Sequence, residues 1–383
     1  MGEAIKKPLK QVYLDYAAAT PLDKFVLEEM LSVANDYQNP SAIYLAARAN
    51  RNRLKEFRAR VARVVGSLED EVIFSAGATE ANNIAIRGAI GAHGGRAVFS
   101  AVEHQAVIKT SPDALICPVN DRGVIDLHNL EQLISDEVSV VSIIYVSNEV
   151  GTIQPISKVS EIVKQKKLDR LSRGVKMPLY FHTDASQASA CMPLSVNRLG
   201  VDMMTLNGAK MYGPKQSGCL YIKSGTVLAP VIFGGGQEFG LRSGTESLMQ
   251  IAGLTKALEM AAAKQKSARK QLEIVHDMLW KGIDSLAVNA IKLGHPKQSS
   301  PHILSVRFPN TDNERLAMEL DERGVLVATG SACKASDDEP SKVLLAMGLS
   351  REEAGETLRF SFGRQTTEKE ISYAIKALAD CLR

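Results

Sequence analysis

Val201-Asp202-Met203-Met204-Thr205-Leu206-Asn207-Gly208-Ala209-Lys210-Met211-Tyr212-Gly213-Pro214-Lys215 is the stretch on which the fold turns. A short, mostly apolar run ends in a glycine-flanked turn that carries Lys210, and Ser217-Gly218-Cys219-Leu220-Tyr221-Ile222 begins a second strand-like run. A lysine held between two strands can be fixed at the floor of a cleft. There, burial or a neighbouring cation lowers the pKa of the amine, and the neutral amine is the form that attacks a carbonyl. Taken alone, one lysine among 46 Lys plus Arg is more simply a surface-turn residue. The groups placed elsewhere in the chain reverse that reading.

On the N-terminal side, residues 71–75 read as a strand, and Ala76-Gly77-Ala78-Thr79-Glu80 turns it into a helix through Ile84, Ile86 and Ile90. Strand, small-residue turn and helix N-terminus make an anion site, because free N–H groups and the helix dipole converge there. Thr79 suits either a helix cap or a hydroxyl offered to a phosphate. Further strands are expected at 96–100, 114–117, 138–146 and 179–183, alternating with helical spans such as 127–134 and 156–167. That alternation predicts an α/β fold with a mainly parallel sheet and helices on both faces. Ligands of such sheets sit at the carboxyl ends of strands, where Ser147-Asn148-Glu149-Val150-Gly151 and Asp184-Ala185-Ser186-Gln187 fall. His104, alone in its segment, is by itself more simply a core histidine.

Two helical patterns, 24–37 and 46–65, come before the first strand of this series. After Lys210 a helical pattern runs over 246–286, interrupted by a polar, lysine-rich middle at 264–270, and the domain boundary is expected within that 246–286 span. The remainder alternates strands at 303–308, 325–327 and 357–362 with helices at 313–323, from Pro340, and at 368–382, a small α+β unit. The predicted division is therefore 13–260 for a large domain, with 1–12 and 261–383 forming the small one.

A chain of 383 residues that is 45% apolar and 23% charged is an ordinary soluble composition, and a net charge of +3 calls for no nucleic-acid or membrane partner. Met1-Gly2-Glu3-Ala4-Ile5-Lys6-Lys7 has no signal-peptide run, and no window approaches the roughly 18 apolar residues of a span, so a cytoplasmic location is expected. Five scattered cysteines and seven scattered histidines show neither disulfide nor metal-ligand spacing. Reduced thiols and no metal site are the expectation.

A lysine, a carboxylate, a histidine and a Gly-Ala-Thr anion turn thus stand at strand ends. A pyridoxal cofactor has a use for each: N–H donors for its phosphate, a carboxylate to keep its ring nitrogen protonated, a lysine for its aldehyde, and a flat group against its ring. With their neighbours, these residues resemble a cysteine desulfurase of the class V aminotransferase family over nearly the whole chain. The resemblance is carried by Tyr13-Leu14-Asp15, Asn39-Pro40, residues 75–80, Glu103-His104, Asn148-Glu149-Val150-Gly151, residues 182–187 and 234–237, Arg242-Ser243-Gly244-Thr245, Gly330-Ser331-Ala332-Cys333 and Arg359-Phe360-Ser361.

The resemblance implies fold type I of the pyridoxal-phosphate enzymes, with a large domain built on a mainly parallel seven-stranded-type sheet and a small α+β domain bearing the Cys333 loop. It implies pyridoxal 5'-phosphate as cofactor, Lys210 as its Schiff-base lysine and Asp184 as partner of the ring nitrogen. Gln187 would bond the ring hydroxyl, and His104 would stack on the ring and relay a proton. Ala78, Thr79 and Asn207 would hold phosphate, joined by Thr245 from the second subunit of a homodimer. Arg359 with Asn148 would grip the carboxylate of L-cysteine, a task suited to a guanidinium fork. Cys333, in a small and polar stretch, would take the sulfur as a persulfide to an acceptor protein such as an iron–sulfur scaffold or a tRNA-thiolation protein.

The chain departs from the family pattern at Asn207-Gly208-Ala209, where Ser-x-His is usual, at Tyr44 in place of a histidine, and at Phe239 in place of an arginine. Two rival readings follow: a selenocysteine lyase or aminotransferase that does not need Cys333, and a non-catalytic paralogue.

Overall fold

The computed structural model describes residues 11–329 and 340–382. Cys333 and the Gly330-Ser331-Ala332-Cys333 motif, together with residues 1–10, lie outside the described residues.

A two-residue strand, β1 (Val12–Tyr13), opens the described chain. The main sheet then uses β2 (Val72–Ser75), β3 (Arg96–Ser100), β4 (Leu115–Cys117), β5 (Val138–Ser142), β6 (Tyr180–Asp184), β7 (Met203–Asn207) and β8 (Gly218–Ile222). Their order is β2-β8-β7-β6-β5-β3-β4, parallel throughout except that β8 runs antiparallel to both neighbours. Strands covered on both faces read as continuous apolar runs, and β5, β6 and β8 are buried at every residue. One face packs Ala81, Ile84, Ala85 and Ala89 of helix Ala78–His93 against Phe99, Val140 and Met203. The other packs Val159 and Val163 of helix Ile156–Ser172 against Val141, Phe181 and Met204.

A second group of strands follows: β9 (Ile291–Lys292), β10 (Ile303–Arg307), β11 (Val325–Leu326), β12 (Ala328–Thr329) and β13 (Thr357–Ser361). The antiparallel order β12-β13-β10-β9 makes a four-stranded sheet, while β11 pairs in parallel with β1. Segments more than 300 positions apart are thereby joined, a pairing that a two-residue strand does not announce in the sequence.

Three expectations are corrected. The pattern over 246–286 is not interrupted at 264–270: one helix, Leu248–Asp284, runs through 37 residues, about 55 Å at 1.5 Å per residue. Lys264-Gln265-Lys266-Ser267-Ala268-Arg269-Lys270 is mostly good helix formers, so its polarity marks an exposed crossing and not a break. The helix buries Leu248, Ile251, Leu254 and Leu258 in the core of the main sheet, and Leu272, Val275, Leu279 and Ile283 in a second core with Leu304, Phe360 and Ile371. The first helix ends at Ser32, not 37, as Val33 turns its N–H back to Met30 and Leu31. Thr79 is not a cap; the N-cap of its helix is Gly77. Among the described residues, no helix is long and apolar enough to cross a membrane.

A buried ion pair ties helix Leu45–Val65 to the main sheet. Arg58 donates from both terminal nitrogens to Glu238 at 2.8 Å and also to the Val72 carbonyl, while Glu238 accepts the Phe74 N–H at 2.8 Å. Removing one partner leaves the other charge buried and unpaired, which costs far more than the pair contributes. Glu238→Ala is expected to destabilise the protein by about 3 kcal/mol. A denaturation midpoint equal to that of the unmutated protein would refute this.

Candidate active site

The turn after β7 is wound by local bonds. Asn207 Oδ1 accepts the Ala209 N–H at 3.1 Å and closes the single 3₁₀ turn Gly208–Lys210. A Cβ on Gly208 would lie 2.1 Å from Ser217 Oγ, so the glycine permits the close return of the chain. From the N-terminal segment, Thr20 clamps the turn: its hydroxyl donates to the Ala209 carbonyl at 3.0 Å and accepts the Tyr212 N–H at 2.7 Å. Lys210 is thereby aimed toward residues 17 and 18, where Nζ donates to the Ala17 carbonyl at 2.8 Å and the Ala18 carbonyl at 2.6 Å.

A cleft of about 410 Å³ opens here, beyond the carboxyl ends of β5, β6 and β7. It brings together Ala78, Thr79, His104, Asn148, Asp184, Gln187, Asn207, Lys210 and Arg359, nine of the eleven residues expected from sequence. Thr245 lines a separate cleft of about 230 Å³ with Arg242 and Glu246. Cys333 lies outside the described residues.

Asp184 ends β6 and is buried. Its carboxylate accepts Asn82 Nδ2 at 2.8 Å and the Ser186 N–H at 2.9 Å, so its direction is fixed. Beneath it, His182 bonds Ser142 at 2.8 Å and Thr205 at 3.0 Å, and burial pushes the ring down to about 4, leaving it neutral. His104 is also held below its ordinary pKa by burial, with Asp184 opposing. Its Nδ1 accepts the Ala106 N–H at 3.0 Å, which leaves the ring proton of the neutral form on Nε2. Burial, opposed by the bond from the Ile144 N–H and aided by the charge of Asp184, pushes the carboxyl of Glu103, another cleft residue, well above its ordinary value.

The opposite wall comes from β13. Arg359 donates to Asp15 Oδ1 at 2.7 Å and to the Asn148 carbonyl at 3.0 Å. Two buried atoms on this wall, Arg359 Nε and Asn148 Oδ1, bond no other described residue. Beside them, desolvation pushes Glu149 up to about 7, and its carboxyl accepts the Ser341 hydroxyl.

These residues fit pyridoxal phosphate. The volume lies in the range of cofactor pockets, a carboxylate and a lysine share the cleft, and Gly77 offers no side chain to the first-turn N–H groups of helix Ala78–His93, leaving them for an anion. The orphaned guanidinium nitrogen and amide oxygen suit the carboxylate and ammonium of an amino acid.

Sequence reasoning assigned no role to Asp15, Asn82, Glu103 or His182. Asn82 left a signal: a poor helix former among Ala and Ile, one turn after Ala78 on the same face. The pairing of Asp15 with Arg359, 344 positions apart, left none.

The model of the family "Aminotransferase class-V" matches residues 12–373. The cysteine desulfurase IscS of Dictyoglomus turgidum is 35% identical over 381 residues, covering 96% of this chain and 94% of its own. Among solved structures, a NifS-like protein superposes with a TM-score of 0.86 at 32% identity, over 97% of this chain and 98% of its own. A structure titled "SspA in complex with cysteine" gives 0.76 at 31% identity, over 93% and 99%. With a sheet of this topology, a lysine and an aspartate sharing one cleft, and matches of this length, the chain belongs to the class V aminotransferase family, the pyridoxal-phosphate enzymes of fold type I that include the cysteine desulfurases.

Proposed function

We propose that the protein is a cysteine desulfurase that converts L-cysteine to L-alanine and hands the sulfur on from Cys333. The observation that carries the reading is the single cleft holding Lys210, Asp184, His104 and Arg359, whose Nε bonds no other described residue. The structure of a relative with cysteine bound supports the substrate.

Pyridoxal phosphate, when bound, supplies an electron sink for charge left on the substrate Cα. Asp184 would keep the ring nitrogen of that group protonated, and its two hydrogen bonds from Asn82 and Ser186 hold the carboxylate in place. Arg359 and Asn148 grip the substrate carboxylate, orienting the Cα proton toward the amine of Lys210, which removes it. His104, which holds its ring proton on Nε2, would be the flat group set against the ring of that cofactor. The Cys333 thiolate then attacks the substrate sulfur: an S–S bond forms, the C–S bond breaks, its electron pair stays on carbon and takes up a proton, Lys210 returns its proton to Cα, and alanine leaves with the sulfur held as a persulfide.

Thr245 does not line the cleft of its own chain, which agrees with its reaching the phosphate of a partner in a homodimer. The chain divides at 260, within helix Leu248–Asp284, whose two halves enter different cores. The enzyme works in the cytoplasm, with a thiol-bearing acceptor from iron–sulfur assembly or tRNA thiolation.

The test is incubation with pyridoxal phosphate, L-cysteine and a reductant, following alanine and sulfide together. Cys333→Ala is expected to lower both by on the order of 100-fold or more, the loss of an essential nucleophile. Undiminished alanine release from that variant would point instead to a lyase that does not use Cys333.

A further inference from the structure

Gln187 is not an isolated amide. Its Nε2 donates to the Ala17 carbonyl at 2.9 Å, and its Oε1 lies 3.1 Å from His302 Nε2. His302 Nδ1 lies 2.6 Å from Ser300 Oγ, which lies 3.0 Å from the sulfur of Cys191. All four side chains are buried: 6% exposed at Gln187, 2% at His302 and nothing at Ser300 and Cys191.

The direction of every bond in this row follows from its far end. The Ala17 carbonyl can only accept, so the Gln187 nitrogen faces it and the amide oxygen faces His302. His302 therefore carries its proton on Nε2, and its bare Nδ1 takes the Ser300 hydroxyl proton. Ser300 Oγ in turn accepts the Cys191 S–H. Burial holds the ring down at about 3 and the thiol up at about 11, so the row carries no charge.

We propose that His302 is a positioning residue: it locks the Gln187 amide so that one N–H stays on Ala17 while the second is presented to the hydroxyl of the cofactor ring. This rests on the pyridoxal-phosphate reading of the cleft. Without His302 the amide oxygen is a buried acceptor with no donor, and the amide turns to find one. The second N–H then leaves the ring hydroxyl. Ser300 and Cys191 act one step further back, by holding the tautomer of His302.

The test compares affinity for pyridoxal phosphate with affinity for its 3-deoxy analogue, which lacks the ring hydroxyl, by absorbance titration of the apoprotein. The unmutated protein is expected to bind the analogue about 10-fold more weakly, one hydrogen bond's worth. His302→Leu is expected to bind pyridoxal phosphate about 10-fold more weakly than the unmutated protein, yet to bind the analogue as the unmutated protein does. His302→Gln, whose amide nitrogen reaches the place of Nε2, is expected to retain the preference for the hydroxyl. If His302→Leu does not fold, Ser300→Ala carries the same comparison, with a smaller loss confined to the hydroxyl-bearing cofactor. A variant that binds both cofactors normally, or loses both equally, overturns the proposal. An unmutated protein that binds neither overturns the reading of the cleft instead, and leaves the two failures distinct.

Discussion

Lys210→Ala is expected to lower alanine and sulfide release by on the order of 10⁴-fold or more, the scale on which removal of a catalytic nucleophile or base acts. Two functions are lost at once, the attachment of the cofactor aldehyde and the base that takes the Cα proton. The loss should not come from unfolding. The substitution removes the bonds from Nζ to the Ala17 and Ala18 carbonyls, while the turn itself is held by Asn207 and Thr20, which it leaves intact. A variant with an unaltered melting profile, no covalently retained cofactor after denaturation and reduction, and no turnover is the expected result. Turnover within 10-fold of the unmutated protein would remove Lys210 from the chemistry.

Asp184→Asn is the second large effect, expected at about 10³-fold in turnover. The amide keeps the shape of the carboxyl and one acceptor for Asn82 or Ser186, but it cannot hold a proton on the ring nitrogen by charge. Gln187→Ala, which removes one neutral hydrogen bond to the cofactor along with the bonds to Ala17 and His302, is expected to cost about 10-fold in turnover. The ordering is the measurement that matters: equal losses in the two variants would mean that stored negative charge does not limit the reaction.

Much of the main sheet was legible because its strands are buried on both sides and so read as short apolar runs between turn signals. β3 falls on the expected 96–100, and β6 and β7 end at the polar residues read as ligand positions. Lys210, Asp184, His104 and Arg359 were found through motifs; the first three converge because strand ends share one edge of the main sheet, and Arg359 faces them from β13 of the second sheet. Other features left no local trace. Helix Leu248–Asp284 crosses between two cores, so its exposed middle imitates a linker. The strand β1 is two residues long and has a partner more than 300 positions away, and His302 meets Gln187 across 115. Such pairings are set by topology, which periodicity does not encode.

The segment from Val12 to Thr20 has a consequence for biosynthesis. It lies in register with Val325 and Leu326, gives Arg359 its counter-ion through Asp15, and supplies the Ala17 carbonyl shared by Lys210 and Gln187. These residues therefore wait for partners made more than 300 positions later before either finds its place. The vitamin cannot be seated until residue 359 has been made, and a nascent chain stalled short of it carries half a catalytic cavity with its cationic wall missing.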